Sequence, residues 1–123
     1  MNILILEDDP NRIGAFARAL ETGNTVTVTD QVSEAIALLQ SQRFDAVYLD
    51  HDLGGKQFVD PKDEPTGYHV AQWLVENSEY IPSVVFIHSH NAGRARQMAE
   101  MIPGSIYAPF PKCITDYRLI KDE

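Results

Sequence analysis

Five short β-branched or aliphatic runs, each followed by residues with helical periodicity, limit this chain more than any other feature. Asn2 to Leu6, Thr25 to Thr29, Ala46 to Leu49, Val84 to Ile87 and Ser105 to Ala108 read as strands. The first helix follows Pro10 and places Ile13, Phe16, Ala17 and Leu20 on one face, with Gly23 ending it. A second helix runs from about Ser33 to Ser41 with Ala35, Ile36 and Leu39 inward. Thr66 and Gly67 open a third, which carries Val70, Trp73 and Leu74 as core residues. A fourth starts near Asn91 and buries Ala95, Met98 and Ala99 before Pro103 and Gly104, and the tail from Cys113 to Ile120 suits a short last helix.

Strands that alternate with helices imply a mostly parallel sheet with right-handed crossovers and helices on both faces. The third and fourth strands are apolar throughout, as strands covered on both faces are. A length of 123 residues suits one domain spanning 1–123 with its own core, and the single Cys113 supplies no disulfide framework. One segment breaks the rhythm: 54–65, GGKQFVDPKDEP, an extended polar loop after the third strand. No run is long and apolar enough for a membrane span, and the amino terminus opens on a strand rather than a signal peptide, so a cytoplasmic location is expected. A formal net charge of −8 disfavours an extended nucleic-acid surface, but not a small phosphorylated ligand, an RNA end or a metal.

In parallel sheets ligands bind beyond the carboxyl ends of the strands, and three of those ends are densely polar. Glu7, Asp8 and Asp9 follow the first strand, Asp50, His51 and Asp52 the third, and His88, Ser89, His90 and Asn91 the fourth. A strand order of 2-1-3-4-5 would bring the three clusters together. Carboxylates that close repel one another unless protons or a cation intervene, and a divalent metal is the simplest remedy. Oxygen ligands with water positions to spare favour Mg²⁺ or Mn²⁺, and nearby imidazoles extend the choice to Fe²⁺ or Zn²⁺.

At these positions the chain resembles the receiver domains of response regulators over nearly its whole length. The acidic pair is matched by Glu7 and Asp8 in ILEDDP, the phosphoacceptor by Asp50 in AVYLD, and the glycine opening helix three by Gly67. Receivers also carry a hydroxyl residue after strand four and a lysine before a Pro-Phe pair after strand five. Here those positions read His88 and Ala108, so both departures fall on the groups that hold and report a phosphoryl group. The resemblance implies a flavodoxin-like three-layer α/β sandwich and a metal site built on Glu7, Asp8 and Asp50.

The departures share a pattern, LDHDLG, TGYHVAQWL and FIHSHN, that is similar to the cyclic-phosphate-processing receiver-like domain. That resemblance implies a metal-dependent phosphoesterase acting on the cyclic phosphate of a small nucleotide or an RNA end, with the 2′,3′ ring favoured. Ring opening needs an activated water, charge relief on phosphate and an acid for the leaving oxygen. Histidine as a residue type titrates near neutrality, so His88 and His90 are the candidates for proton transfer, with Asp52 or His51 orienting them. Asp50 serves the metal and, in a covalent alternative, the phosphorus itself; the pairing Asp50, Asp52 followed by Leu53 and Gly54 is weakly similar to haloacid dehalogenase phosphatases. His51, Ser89 and Asn91 are candidate substrate contacts. The rival reading is a catalytically inactive receiver-like module that binds a partner protein or sequesters a small cyclic nucleotide.

Several polar residues have plainer roles. Asp9 before Pro10 reads as a helix N-cap, as does Asn91 in competition with a substrate contact. His69 falls on a surface strip, and Cys113 reads as a buried thiol rather than a nucleophile.

Overall fold

The computed structural model describes residues 1–50, 66–89, 92–109 and 112–113. Strands β1 (Asn2–Leu6), β2 (Thr25–Thr29), β3 (Ala46–Leu49), β4 (Val84–Ile87) and β5 (Ile106–Tyr107) form a parallel sheet of order β2-β1-β3-β4-β5. Among the described residues four helices alternate with them, α1 (Pro10–Leu20), α2 (Val32–Ser41), α3 (Gly67–Glu76) and α4 (Ala92–Met101), and Lys112 and Cys113 are also helical. This is the flavodoxin-like three-layer arrangement that the sequence pattern implies. Among the described residues no helix is long and apolar enough to cross a membrane.

Strand periodicity assigns the two sides of the core. Leu4, Leu6, Val47, Leu49, Val85 and Ile87 face α2, α3 and α4 and pack with Ala35, Leu39, Val70, Leu74, Ala95 and Met98. The alternate residues Ile3, Ile5, Ala46, Tyr48 and Phe86 face α1 and pack with Phe16 and Leu20. β3 is buried along its whole length and β4 at three of its four residues, so neither carries a charged or amide side chain facing outward.

The helix starts follow capping chemistry. Asp9 accepts a hydrogen bond from the Asn11 amide at 2.8 Å, and Pro10 opens α1 where a missing N–H costs nothing. Thr66 accepts from the Tyr68 amide, while its own amide donates to Nδ1 of His69 at 2.9 Å, so the histidine completes a capping box at the start of α3. Gly23 (φ 80°) and Gly104 (φ 82°) make the left-handed turns after α1 and α4 that only glycine adopts without strain.

Four differences from the sequence expectation have local causes. Trp73 packs against the core but is half-buried rather than enclosed, because Val70, Ala71 and Leu74 take the inward face of α3 and leave the indole at its flank, stacked on Tyr80. Ile13, Ala17, Ile36 and Ala99 are likewise half-buried, at the margins of their helical stripes. α2 begins one residue earlier, at Val32. β5 has two residues rather than four, because the Ser105 amide bonds to the Ile102 carbonyl and its hydroxyl to the Ala99 carbonyl, closing the exit of α4 instead of joining the sheet. The extended loop 54–65 and the tail helix beyond Cys113 lie outside the described residues, while Cys113 itself is buried against the Ala108 layer.

Candidate functional site

Strand register builds the site. Leu6 of β1 pairs with Leu49 of β3, and Leu49 pairs with Ile87 of β4, so the next residues, Glu7, Asp50 and His88, leave three adjacent strands at one level. The ladder continues one step past the strands: the Asp50 amide donates to Leu6 O, the His88 amide to Leu49 O, and the Ala108 amide to Ile87 O. Alternation fixes the side as well as the level. Glu7 follows the Ile3 and Ile5 phase, Asp50 that of Ala46 and Tyr48, and His88 that of Phe86, so all three project toward α1.

All three are buried. One potential ligand atom from each lies within 4.8 Å of the others. The two carboxylates at that spacing offer oxygen ligands to a divalent cation of the harder class, so they fit the metal that the receiver resemblance implies. Asp8 is half-buried and lines, with Glu7, Thr29 and Asp30, a shallow acidic depression of about 260 Å³ beside the cleft. A larger hollow of about 460 Å³ lies at the opposite ends of the strands, between the end of α2 and Tyr80, and lacks such convergent acids.

Four nitrogens surround the Glu7 carboxylate. Nε2 of His88 lies 3.2 Å from Oε1, and because an ionised carboxylate only accepts, Nε2 carries the proton of that bond. Nε of Arg12 forms an ion pair with the same oxygen at 2.9 Å, and the amides of Asp8 and Asp9 donate to Oε2 at 2.9 and 3.3 Å. Burial alone would raise the Glu7 pKa. The His88 hydrogen bond and charge, the Arg12 guanidinium and the Asp8 amide outweigh it, lowering the value from 4.5 to about 2. Glu7 is therefore a fixed anion that orients His88.

Arg12 is the residue that sequence reasoning missed. Besides Glu7, its guanidinium lies 3.7 Å from Asp50 and 3.6 Å from Asp9, and its side chain is 22% exposed. A signal was present: Arg12 falls in the first turn of α1, where the helix dipole disfavours a cation. The three acids beside it repay that cost. Ala108, where receivers carry lysine, is buried in the apolar layer with Phe86 and Cys113, while Arg12 of α1 brings a cation to this cleft.

Aromatic rings close the floor. Phe16 meets His88 edge to face at 5.2 Å and Tyr48 at 5.1 Å, and Tyr48 stacks on Phe86 at 4.7 Å. Ser89 is buried next to His88. His51, Asp52, His90 and Asn91 lie outside the described residues. His69 is half-buried and caps α3 rather than lying on a surface strip.

The family model of the cyclic-phosphate processing Receiver domain matches residues 3–104. No curated protein matches. Among solved structures, the receiver domain of a sensor histidine kinase from Pseudomonas aeruginosa, described with a magnesium ion coordinated in its active-site cleft, is 19% identical with a TM-score of 0.74, covering 97% of this chain and 92% of that one. A chemotaxis protein of Vibrio cholerae is 16% identical with a TM-score of 0.73 over 98% of this chain and 96% of that one. The receiver domain of HemR from Leptospira biflexa is 22% identical with a TM-score of 0.71 over 98% and 90%. At these identities the likeness is one of fold.

Proposed function

The chain belongs to the cyclic-phosphate processing receiver family, and from that premise we propose that it is a metal-dependent phosphoesterase that opens the cyclic phosphate of a nucleotide or RNA end, the 2′,3′ ring foremost. The observation that carries this reading is the buried pair of His88 and Glu7 beside Asp50. A receiver that stores a phosphoryl group needs a hydroxyl and a lysine at the positions of His88 and Ala108. A hydrolase needs a proton-transfer group there, and an imidazole held by a carboxylate is the usual one.

In this reading water attacks phosphorus, one ring P–O bond breaks, and the leaving oxygen takes a proton, giving a phosphomonoester. His88 moves that proton, and Glu7 steadies the imidazolium that forms. Arg12 lies within reach of the anionic centre from α1. Asp50 and Glu7, with Asp8 at the rim, are the residues that would hold a divalent ion, which supplies charge neutralisation on phosphate and a more acidic water. The magnesium described in the Pseudomonas receiver supports this assignment by analogy of fold. His90 and Asp52 complete the proposed catalytic set, and His51, Ser89 and Asn91 the substrate contacts. The acidic surface favours a substrate held at its end, a small cyclic nucleotide or a chain terminus.

The test is hydrolysis of 2′,3′-cyclic AMP and of an RNA oligonucleotide ending in a 2′,3′-cyclic phosphate, with Mg²⁺, Mn²⁺ or EDTA, in the wild type, Asp50→Asn and His88→Ala. Metal-dependent turnover lost in both variants is the expected result. Binding without turnover in every metal would favour the inactive module, and stable Asp50-dependent labelling by acetyl phosphate would favour a phosphoacceptor receiver.

A further inference from the structure

The Glu7 carboxylate is enclosed by four nitrogens, and one of them belongs to a side chain that reaches solvent. Two are backbone amides at the start of the β1 to α1 turn, and a third belongs to a wholly buried histidine. The fourth belongs to Arg12, which sits on the outermost turn of α1 with a partly exposed side chain. Its guanidinium also faces Asp50, the second acid of the cleft. A cation that enters the cleft and uses these oxygens therefore meets Arg12 on both of them.

We propose that Arg12 is a resident counter-ion that a divalent metal must displace, so that the arginine sets the metal affinity of the cleft. The proposal rests on the reading of Glu7 and Asp50 as metal-facing groups. Two like cations cannot share carboxylates a few ångströms apart without strong mutual repulsion in a buried site, so one excludes the other. The displaced guanidinium stays tethered to α1 at the mouth of the cleft, where a planar, permanently charged fork with five N–H donors suits a phosphate. With the metal absent, the same side chain satisfies the buried acids and prevents them from repelling one another.

Mn²⁺ binding is measured by calorimetry for the wild type, Arg12→Gln and Arg12→Lys, with circular dichroism to verify folding and Asp50→Asn as the variant lacking a cleft acid. The expected result is that Arg12→Gln binds Mn²⁺ at least about tenfold more tightly than the wild type, as removal of a competing charge requires. Equal or weaker binding by Arg12→Gln overturns the proposal while leaving the metal site intact. Absence of Mn²⁺ binding in both proteins overturns the proposal and the metal reading together. A second readout needs no substitution: the Arg12 Nε–H resonance in the wild type shifts as Mg²⁺ is added, and an unmoved resonance at saturating Mg²⁺ overturns the proposal. Tighter Mn²⁺ binding by Arg12→Gln alongside a failure of cyclic-phosphate hydrolysis in the wild type keeps the counter-ion and rejects only the esterase.

Discussion

Glu7 and His88, 81 residues apart in sequence, meet at 3.2 Å with neither side chain exposed to solvent. The contact makes one carboxylate both a stabilising group and an orienting one, and the two roles separate by pH. Glu7 titrates at about 2 in the folded chain against 4.5 for an ordinary glutamate, so its ionised form favours folding. That contribution is complete above the unfolded value and disappears as pH falls toward the folded one. Its size is on the order of 3 kcal/mol. Urea unfolding followed from pH 6 down to pH 2 should show the wild type losing stability through this window, with Glu7→Gln less stable at pH 6 and flatter below it.

His88→Ala is expected to fold and to lose at least about 100-fold in cyclic-phosphate turnover, the usual contribution of a positioned acid or base. His88→Thr restores the hydroxyl that receivers carry and should be equally inactive, since an aliphatic hydroxyl is too weak an acid and base to serve as a general acid–base group near neutrality. Rates within a few-fold of wild type in either variant would remove His88 from the mechanism.

Phe16 is buried between Tyr48 and His88. Truncation to alanine opens a cavity and should cost about 3–5 kcal/mol, read as a lower urea midpoint. Phe16→Leu keeps most of the volume and should cost much less. The His88 ring signals should move in both, because the edge-to-face contact is lost in each.

Ala108→Lys reinstates the residue that receivers carry at this level of the sheet. Here it would place an ammonium in the apolar layer with Phe86 and Cys113, opposite a cleft whose acids already have Arg12. The expected outcome is destabilisation by several kcal/mol or more, read by thermal or urea unfolding, with no gain of stable labelling by acetyl phosphate.

Thr66→Ala removes the oxygen that accepts from the Tyr68 amide at the start of α3 and should lower stability by about 1 kcal/mol. His69→Ala tests the reciprocal half of the same box and should cost less than the threonine substitution. Both should leave hydrolysis largely unchanged.

The sheet was legible because its signals are local and redundant. The ends of β1 to β4 fall where apolar β-branched runs give way to acids or histidines, and these boundaries coincide with the observed strands. Adjacent register then carries Glu7, Asp50 and His88 to one level, so three of the polar strand ends converge as the order 2-1-3-4-5 requires. What sequence did not convey was the counter-charge. Arg12 looks like a solvated residue on an amphipathic helix, and only its place at the positive end of α1 hints otherwise. Trp73 is a related case: helical periodicity names a face but not its edges, and the indole packs against the core from an edge, half-buried.

The cleft is also a gauge of strand alignment. Its three buried polar groups come from consecutive ladder steps on β1, β3 and β4, each set by a backbone bond to the strand beside it. A slip of β3 by one residue would bring Leu49 to the position between Glu7 and His88 and turn Asp50 to the other side of the sheet. Misaligned chains, even compact ones, would lack this assembled triad, so in the proposed hydrolase specific activity per folded molecule would double as a proofreading readout for assembly of this sheet.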